Sequence, residues 1–330
     1  MDLIVTKARM PSERRRSNGY KKMSKEFKVY NFMRWGKLSM SVSVLCLIIS
    51  IGSLLVNGLN FGLDFTGGTQ IEMGYDRPAD LEDVRERLTD AGFEGAVVMH
   101  FGGDTDVLIR LQRGYDDHLG NEMLTALTAG SEARVEVRRV EFVGPQVGEE
   151  LKVDGGLGML FAMLVVMAYV AMRFQFKFSV SAVLGLIHDA IIVVGVFSIF
   201  QLEFDLTVLA AILAVIGYSI NDTIVVFDRI RENFRKLRGW EVSEVINGSV
   251  TQTLDRTIIT SGSTALVLVA MLIFGGEILY GFALALLIGV AVGTYSTVFV
   301  ASYLLMLFGI TKEDLMPPVK EDVEQGDEVP

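Results

Sequence analysis

The chain has 330 residues, 51% of them hydrophobic, with a formal net charge of −10 and a mean hydropathy of +0.42. The negative balance argues against a nucleic-acid partner. A single cysteine excludes a disulfide framework or a cysteine-ligated metal site, and the three histidines are too scattered for a zinc cluster. Charged residues are nearly absent from several runs of about twenty residues, which is typical of a polytopic membrane protein.

Six charge-depleted runs predict six transmembrane helices. They cover residues 38–56, 156–172, 178–200, 206–227, 257–274 and 279–307. A helix needs ~20 apolar residues to cross the hydrocarbon core, so we expect the last run to tilt or to protrude. No proline occurs between Pro145 and Pro317, and the last five spans therefore lack the commonest cause of a kink.

Lysine and arginine in the short flanking segments predict the orientation of the spans. The basic segment 1–37 holds 11 Lys and Arg against 3 Asp and Glu, and segments 173–177 and 229–238 add two and five more positive residues. The alternate connections carry only Glu203, Asp205 and Glu277. Both termini are therefore expected in the cytoplasm, with residues 57–155 outside and a disordered acidic tail at 309–330.

The external segment has the pattern of a small α+β domain. Alternation of apolar and polar residues predicts strands at 69–73, 96–101, 106–112 and 135–142, while apolar stripes predict helices at 81–92, capped by Asp80, and at 116–129. The order β-α-β-β-α-β is that of the ferredoxin-like fold. Its 20 acidic and 9 basic residues are interpreted as solvated surface, so we expect contact with a partner or a passing chain and no enzymatic activity.

Ionisable residues inside the predicted spans are the most informative feature of the sequence. His188 and Asp189 lie about ten residues, or ~15 Å, into the third span, which puts them near the midplane. Asp222 falls in the inner half of the fourth span, and Arg256 opens the fifth. A charged side chain at the centre of a membrane helix costs ~2.5–3.5 kcal/mol on insertion scales, so such residues usually face a polar interior.

These residues predict an ion-driven relay. A buried aspartate stays ionised only beside a cation, so Asp222 can alternate between a protonated state and a state paired with Arg256. Simpler interpretations remain open at this stage. Arg256 can snorkel to the headgroups, Asp222 can be a structural acid bonded to a hydroxyl, and His188 can be a packed polar residue.

Small residues recur every fourth position in the sixth span. The stripe consists of Gly281, Ala285, Gly289 and Gly293, and such a stripe lets another helix approach closely. The sequence contains no Gly-rich phosphate-binding loop ending in Lys-Ser or Lys-Thr. An ion gradient is therefore the energy source that the sequence makes visible.

Several segments resemble motifs of a known family. Residues 61–69 read Phe-Gly-Leu-Asp-Phe-Thr-Gly-Gly-Thr, with Gly62, Asp64, Gly67 and Gly68 at the positions typical of that motif. Further matches are residues 143–148, 188–189, 217–223, 227–229 and 256–261. In order and topology they resemble the SecD/SecF family of bacterial protein-export subunits, part of the resistance-nodulation-division superfamily. The Asn-Asp-Thr sequence at 221–223 and the single small external domain favour its SecF branch.

The resemblance implies a function and a set of partners. A member of this family pairs with SecD in a twelve-helix unit of the bacterial inner membrane and associates with the SecYEG channel. It uses proton flow, without a cofactor, to draw the translocating polypeptide outward after the ATPase SecA has acted. The family implies proton coupling for Asp222 and Arg256, whereas Asp189 and His188 are added here from their midplane position. Sodium would satisfy the same carboxylate.

Two other functions remain open from the sequence. One is a small-molecule or lipid exporter of the same superfamily, although such pumps usually carry both halves and larger external domains in one chain. The other is a scaffold for SecD without any coupling role. The scaffold predicts that charge-neutral replacements of Asp222 and Arg256 are silent, while bulky residues at Gly289 or Gly293 are not.

Overall fold

The structure is a computed structural model that describes residues 29–101, 103–112, 114, 116, 118–129, 133–237 and 240–311. Most of the basic N-terminal segment and of the acidic tail lie outside these residues, as do Gly102 of the predicted turn and Asp117. In the described part of the chain, six helices are long and apolar enough to cross a membrane, as predicted. They are Phe32–Val56, Pro145–Arg173, Phe176–Ile199, Leu206–Lys236, Val242–Phe274 and Leu279–Leu307.

Three of these helices extend well beyond their charge-free runs. The second begins at Pro145, whose fixed φ suits the first helical position. The fourth continues to Lys236 because ion pairs one turn apart support its charged end, such as Arg229 with Glu232 at 2.6 Å. The fifth begins at Val242 behind a capping box. Arg256 therefore lies within that helix and not at its start.

The sixth span is interrupted although it contains no proline. It runs as an α-helix over Gly276–Tyr295, as a π-helix over Ser296–Ala301 and as an α-helix again over Ser302–Leu307. The Ser302 hydroxyl donates to the carbonyl of Thr297 at 2.8 Å, which satisfies an acceptor inside the wider turn. Short π-helical segments of this kind occur frequently at functional sites.

The third, fourth and sixth spans form the centre of the bundle. About half of the residues of each are buried within the chain, whereas few residues of the first, second and fifth spans are buried. Large side chains fill the contacts between the central helices. Those that are fully buried include Phe178, Phe197, Ile212, Phe227 and Ile230.

The external domain is a four-stranded antiparallel sheet with two helices on one face. Its strands are β2 Gly68–Tyr75, β3 Val97–His100, β4 Asp106–Leu111 and β5 Val135–Val143, and its helices are α1 Leu81–Asp90 and α2 Leu119–Thr128. The sheet order is β3-β4-β2-β5, with Ile71 opposite both Ile109 and Val140. The chain order β-α-β-β-α-β is the one predicted from the sequence.

The two faces of this sheet have different neighbours. Ile71, Met73 and Ile109 point toward the helices and form the core of the domain. Arg110 and Met99 point to the other side, where they line a cavity of about 480 Å³ shared with the outer ends of the membrane helices. The helix-free face of the sheet therefore lies over the membrane bundle.

One pairing joins the domain to the bundle and has no sequence signal. Strand β1, Asn60–Phe61, follows the first span and pairs in parallel with β6, Glu203–Phe204, in the connection between the third and fourth spans. Two-residue strands are too short to show a period, so the sequence could not predict them.

Candidate functional site

Asp189 lies at the meeting point of the third, fourth and sixth spans and is completely buried. Its Oδ2 atom accepts hydrogen bonds from the hydroxyls of Ser219 at 2.5 Å and Ser296 at 2.8 Å. Its Oδ1 atom lies 2.9 Å from Nδ1 of His188. Three side chains from three helices thus converge on one carboxylate.

Local structure of the sixth span brings the donors into place. Ser296 is the first residue of the π-helix. One turn earlier, Gly293 leaves room for the fourth span, because a Cβ atom there would lie 3.1 Å from Cβ of Ser219 and 3.6 Å from Oδ2 of Asp189. The close approach of the fourth and sixth spans and the π-helix therefore both bring a hydroxyl donor to the Asp189 carboxylate.

Asp222 lies one turn beyond Ser219 on the fourth span and is 3% exposed. Its Oδ2 atom has no hydrogen-bond partner among the residues that the structure describes, and the same is true of Nε2 of His188. The adjacent Thr223 hydroxyl lies 2.9 Å from the hydroxyl of Thr297 in the π-helix. A buried carboxylate oxygen without a donor is costly when ionised, so this group is suited to bind a proton.

Arg256 is exposed and lines a cavity of about 350 Å³ at the end of the bundle far from the α+β domain, beside Asp228 and Glu232. Within the described residues its guanidinium makes no hydrogen bond or ion pair. The structure thus brings His188 and Asp189 together with two serines. It does not place Arg256 in ion-pair contact with Asp222.

The stripe of small residues in the sixth span faces the fourth span of the same chain. A Cβ atom on Gly281 would lie 3.0 Å from Val208, and one on Gly289 would overlap the side chain of Val215. Ala285 between them is fully buried. The stripe thus allows the helix contact that carries Ser219 and Asp222 toward the centre of the bundle.

The motif at residues 61–69 forms a turn at the outer end of the bundle. The chain makes one helical turn over Leu63–Thr66, and Oδ2 of Asp64 accepts a hydrogen bond from the backbone N–H of Leu206 at 3.1 Å. Gly62 leaves room for Glu203, whose Oε1 atom would lie 2.8 Å from a Cβ atom at that position. This part of the motif therefore contacts the start of the fourth span.

The two adjacent glycines of the motif pack against the start of the second span and against strand β4. Gly67 has a φ of 71°, and a Cβ atom there would lie 2.8 Å from Cα of Pro145. Gly68 has a φ of 140° and passes directly against the backbone of Leu111. A Cβ atom on Gly148 would in turn lie 3.0 Å from the backbone of Phe65. Both sequence motifs, 61–69 and 143–148, are thus two sides of one packed contact.

The two hydroxyl groups that donate hydrogen bonds to Asp189 were not predicted from the sequence. Ser219 and Ser296 are ordinary small residues in membrane helices, and only the folded structure shows that they meet. A usable signal was present, however, because Ser219 stands three residues before Asp222 and therefore on the same helix face. No comparable signal marks Arg110, which contacts Glu203 across the domain boundary.

Two family models match the chain. The model for the SecD/SecF GG motif matches residues 52–79, and the model for the C-terminal part of the protein export membrane protein SecD/SecF matches residues 123–311. The protein translocase subunit SecF of Vibrio alginolyticus is 49% identical over 92% of this chain and 98% of its own length. That of Pseudomonas aeruginosa is 53% identical over 88% and 95%.

Two solved structures are similar as well. The crystal structure of SecDF from Thermus thermophilus, described as a translocon-associated membrane protein, is 35% identical with a TM-score of 0.74 over 87% of this chain. SecDF in its super-membrane-facing form is 37% identical with a TM-score of 0.66 over 84%. The chain spans 41% and 38% of these two SecDF chains.

Proposed function

The chain belongs to the SecF branch of the SecD/SecF family and is an auxiliary subunit of the Sec protein translocase, and from this we propose that it uses the proton gradient to promote protein export. It works as a non-catalytic subunit paired with SecD in the bacterial inner membrane, with both termini in the cytoplasm. The SecYEG channel is its assembly site, and SecA acts on the translocating polypeptide before it. The length of the SecDF chains supports the pairing with SecD.

The observation that carries this proposal is the burial of two carboxylates in the membrane bundle. Asp189 is held by two hydroxyls, whereas one oxygen of Asp222 has no donor among the described residues. The two acids thus lie in contrasting surroundings, one supplied with hydrogen-bond donors and the other with an oxygen that lacks one among the described residues. A pair of titratable groups in contrasting surroundings is the usual basis of directed proton transfer.

The proposed cycle involves Asp222 and Arg256. When Asp222 loses its proton, the buried negative charge attracts the guanidinium of Arg256, and the fourth and fifth spans shift to bring the two together. Protonation releases Arg256 to the position that the structure describes. The membrane potential contributes ~2.3 kcal/mol per charge per 100 mV, which is enough to favour one direction of this cycle.

His188 and Asp189 serve as the neighbouring relay in this proposal. Nδ1 of His188 lies against the Asp189 carboxylate, and Nε2 has no partner among the described residues. A neutral imidazole held in this way can accept a proton at Nε2 and return it. The hydroxyls of Ser219 and Ser296 donate hydrogen bonds to the same carboxylate and hold it in place beside the imidazole.

Proton conduction and export can be measured separately in vesicles that contain this chain with SecD and the translocation channel. We expect Asp222→Asn to abolish conduction and the gradient-dependent part of export, because an amide cannot bind and release the proton. Asp228→Asn is the matched control, since this acid lies on the same span but is only half-buried and is paired with Arg173. If Asp222→Asn leaves both activities intact, the coupling role is wrong and the scaffold function is favoured.

The coupling ion is identified in the same vesicles. A proton-coupled protein responds to a pH gradient at constant sodium, whereas a sodium-coupled one responds to a sodium gradient at constant pH. We expect the first result. Accumulation of a labelled lipid or small molecule without any protein substrate would instead indicate an exporter.

A further inference from the structure

The contact between the external domain and the fourth span forms a continuous mechanical connection. Backbone hydrogen bonds come first: β1 pairs with β6, and the N–H of Gly62 donates to the carbonyl of Phe204 at 2.9 Å. Asn60 adds a side-chain bond to the carbonyl of Gln201 at 2.9 Å. The segment that leads into the domain is thus fixed to the connection that leads into the fourth span.

The first turn of the fourth span is held from both sides. Asp205 caps it with a hydrogen bond to the N–H of Val208 at 2.8 Å, and Asp64 of the external motif accepts from the N–H of Leu206 at 3.1 Å. Two carboxylates at a helix N-terminus satisfy its free donors and interact favourably with its dipole. A displacement of this helix along its axis therefore displaces Asp64 with it.

An ion pair connects the same place to the centre of the sheet. Arg110 on β4 contacts Glu203 and is itself held by Oε1 of Gln70 on β2 at 2.9 Å. Burial raises the pKa of the Glu203 carboxyl above its ordinary value, Arg110 opposes that rise, and Asp205 and Asp64 add to it. Arg110 is thus the group that supports the charged form of Glu203.

Aromatic side chains of the motif also pack against strand β6. Phe61 and Phe65 of the motif lie with their ring centres 6.1 Å and 6.0 Å from that of Phe204. Phe65 and Phe204 are both buried, so their rings are held by close packing in the protein interior. Backbone hydrogen bonds, an ion pair and aromatic packing therefore all join the external domain to the start of the fourth span.

From these contacts we infer that Asp64, Arg110 and Glu203 form a transmission joint that carries movement of the fourth span to the external domain. The inference rests on the proposed function, because Asp222 is the residue that would move the helix. It lies sixteen residues after Leu206 on one continuous helix, ~24 Å away along the axis. The three joint residues position the domain and take no part in binding the ion.

The joint is tested in vesicles that contain the full chain with SecD and the translocation channel. We expect Arg110→Gln to leave proton conduction within about twofold of the unmodified protein and to lower gradient-dependent export about tenfold, the effect of losing one charge-assisted hydrogen bond. Arg138→Gln is the matched control, because this arginine pairs with Asp106 and Glu136, which both belong to the domain.

Exchanging the two charges of the ion pair distinguishes a loss of transmission from a general loss of protein stability. The double variant Arg110→Glu with Glu203→Arg should recover at least half of the export that Arg110→Gln loses. Full export in Arg110→Gln, or an equal loss of export in Arg138→Gln, would refute the proposed joint. These results are distinct from failure of the proposed function, which is reported by Asp222→Asn retaining conduction.

Discussion

Adding one methyl group to Gly289 tests the contact between the fourth and sixth spans. A Cβ atom at this position would overlap the methyl groups of Val215 and lie 2.9 Å from its Cβ atom. Val215 is 1% exposed, and a valine in a helix has one strongly preferred rotamer, so it cannot turn away. We therefore expect Gly289→Ala to force the fourth and sixth spans apart.

The magnitude follows from a comparison with a glycine that has free space. Overpacking of a filled core typically costs ~1–3 kcal/mol, while alanine gains ~0.8–1 kcal/mol over glycine in a helix. A Cβ atom on Gly262 of the fifth span would meet no described atom within 4 Å. Because both variants gain the same helix preference, the difference between Gly289→Ala and Gly262→Ala isolates the clash, at ~1–3 kcal/mol.

Reversible unfolding in mixed detergent micelles, followed by circular dichroism, measures both variants. Adding Val215→Ala to Gly289→Ala should recover most of the loss, because the double variant removes the overlapping methyl groups. A difference between the two glycine variants below ~0.5 kcal/mol, or no recovery in the double variant, would refute the close approach of these helices.

Three further outcomes concern the external part of the chain. Gly67→Ala should lower the thermal midpoint more than Gly92→Ala, since both have positive φ (71° and 85°) but only Gly67 has the backbone of another segment within 2.9 Å; equal midpoints would contradict this. Asp80→Ala should destabilise α1 by ~1 kcal/mol through loss of its cap, seen as faster hydrogen exchange of the α1 amides than in the unmodified protein. Burial raises the pKa of Tyr75 to about 12. An unfolded tyrosine titrates near ~10, so stability should fall with pH between these values, and Tyr75→Phe should remove that part of the slope.

Strong local patterns explain what the sequence predicted. The six spans and the order of the external domain follow from long apolar runs and from alternation such as that of residues 69–73, which needs no knowledge of distant neighbours. Asp80 was predicted as a helix cap because the cap is contained within three residues of sequence, and its side chain does accept from Glu82 at 2.9 Å.

Features that depend on two distant segments could not be predicted. The π-helix leaves no mark in the sequence, because its residues Ser296–Ala301 continue the same apolar character as the α-helix before it. The contact of Arg110 with Glu203 joins residues 93 positions apart. Burial of Asp222 was expected from the cost of exposing charge to lipid, but the separation of Arg256 from it depends on how far the fifth helix extends.

The pairing of Asn60–Phe61 with Glu203–Phe204 has a consequence for biogenesis. The first strand leaves the ribosome about 140 residues before the second, an interval of roughly 7–30 s at ~5–20 residues per second. The four-stranded sheet of the external domain is complete once Val143 has been synthesised, so it can fold while the later membrane helices are still being inserted. The attachment to the lipid-embedded half is therefore a late assembly step, after synthesis of the third span.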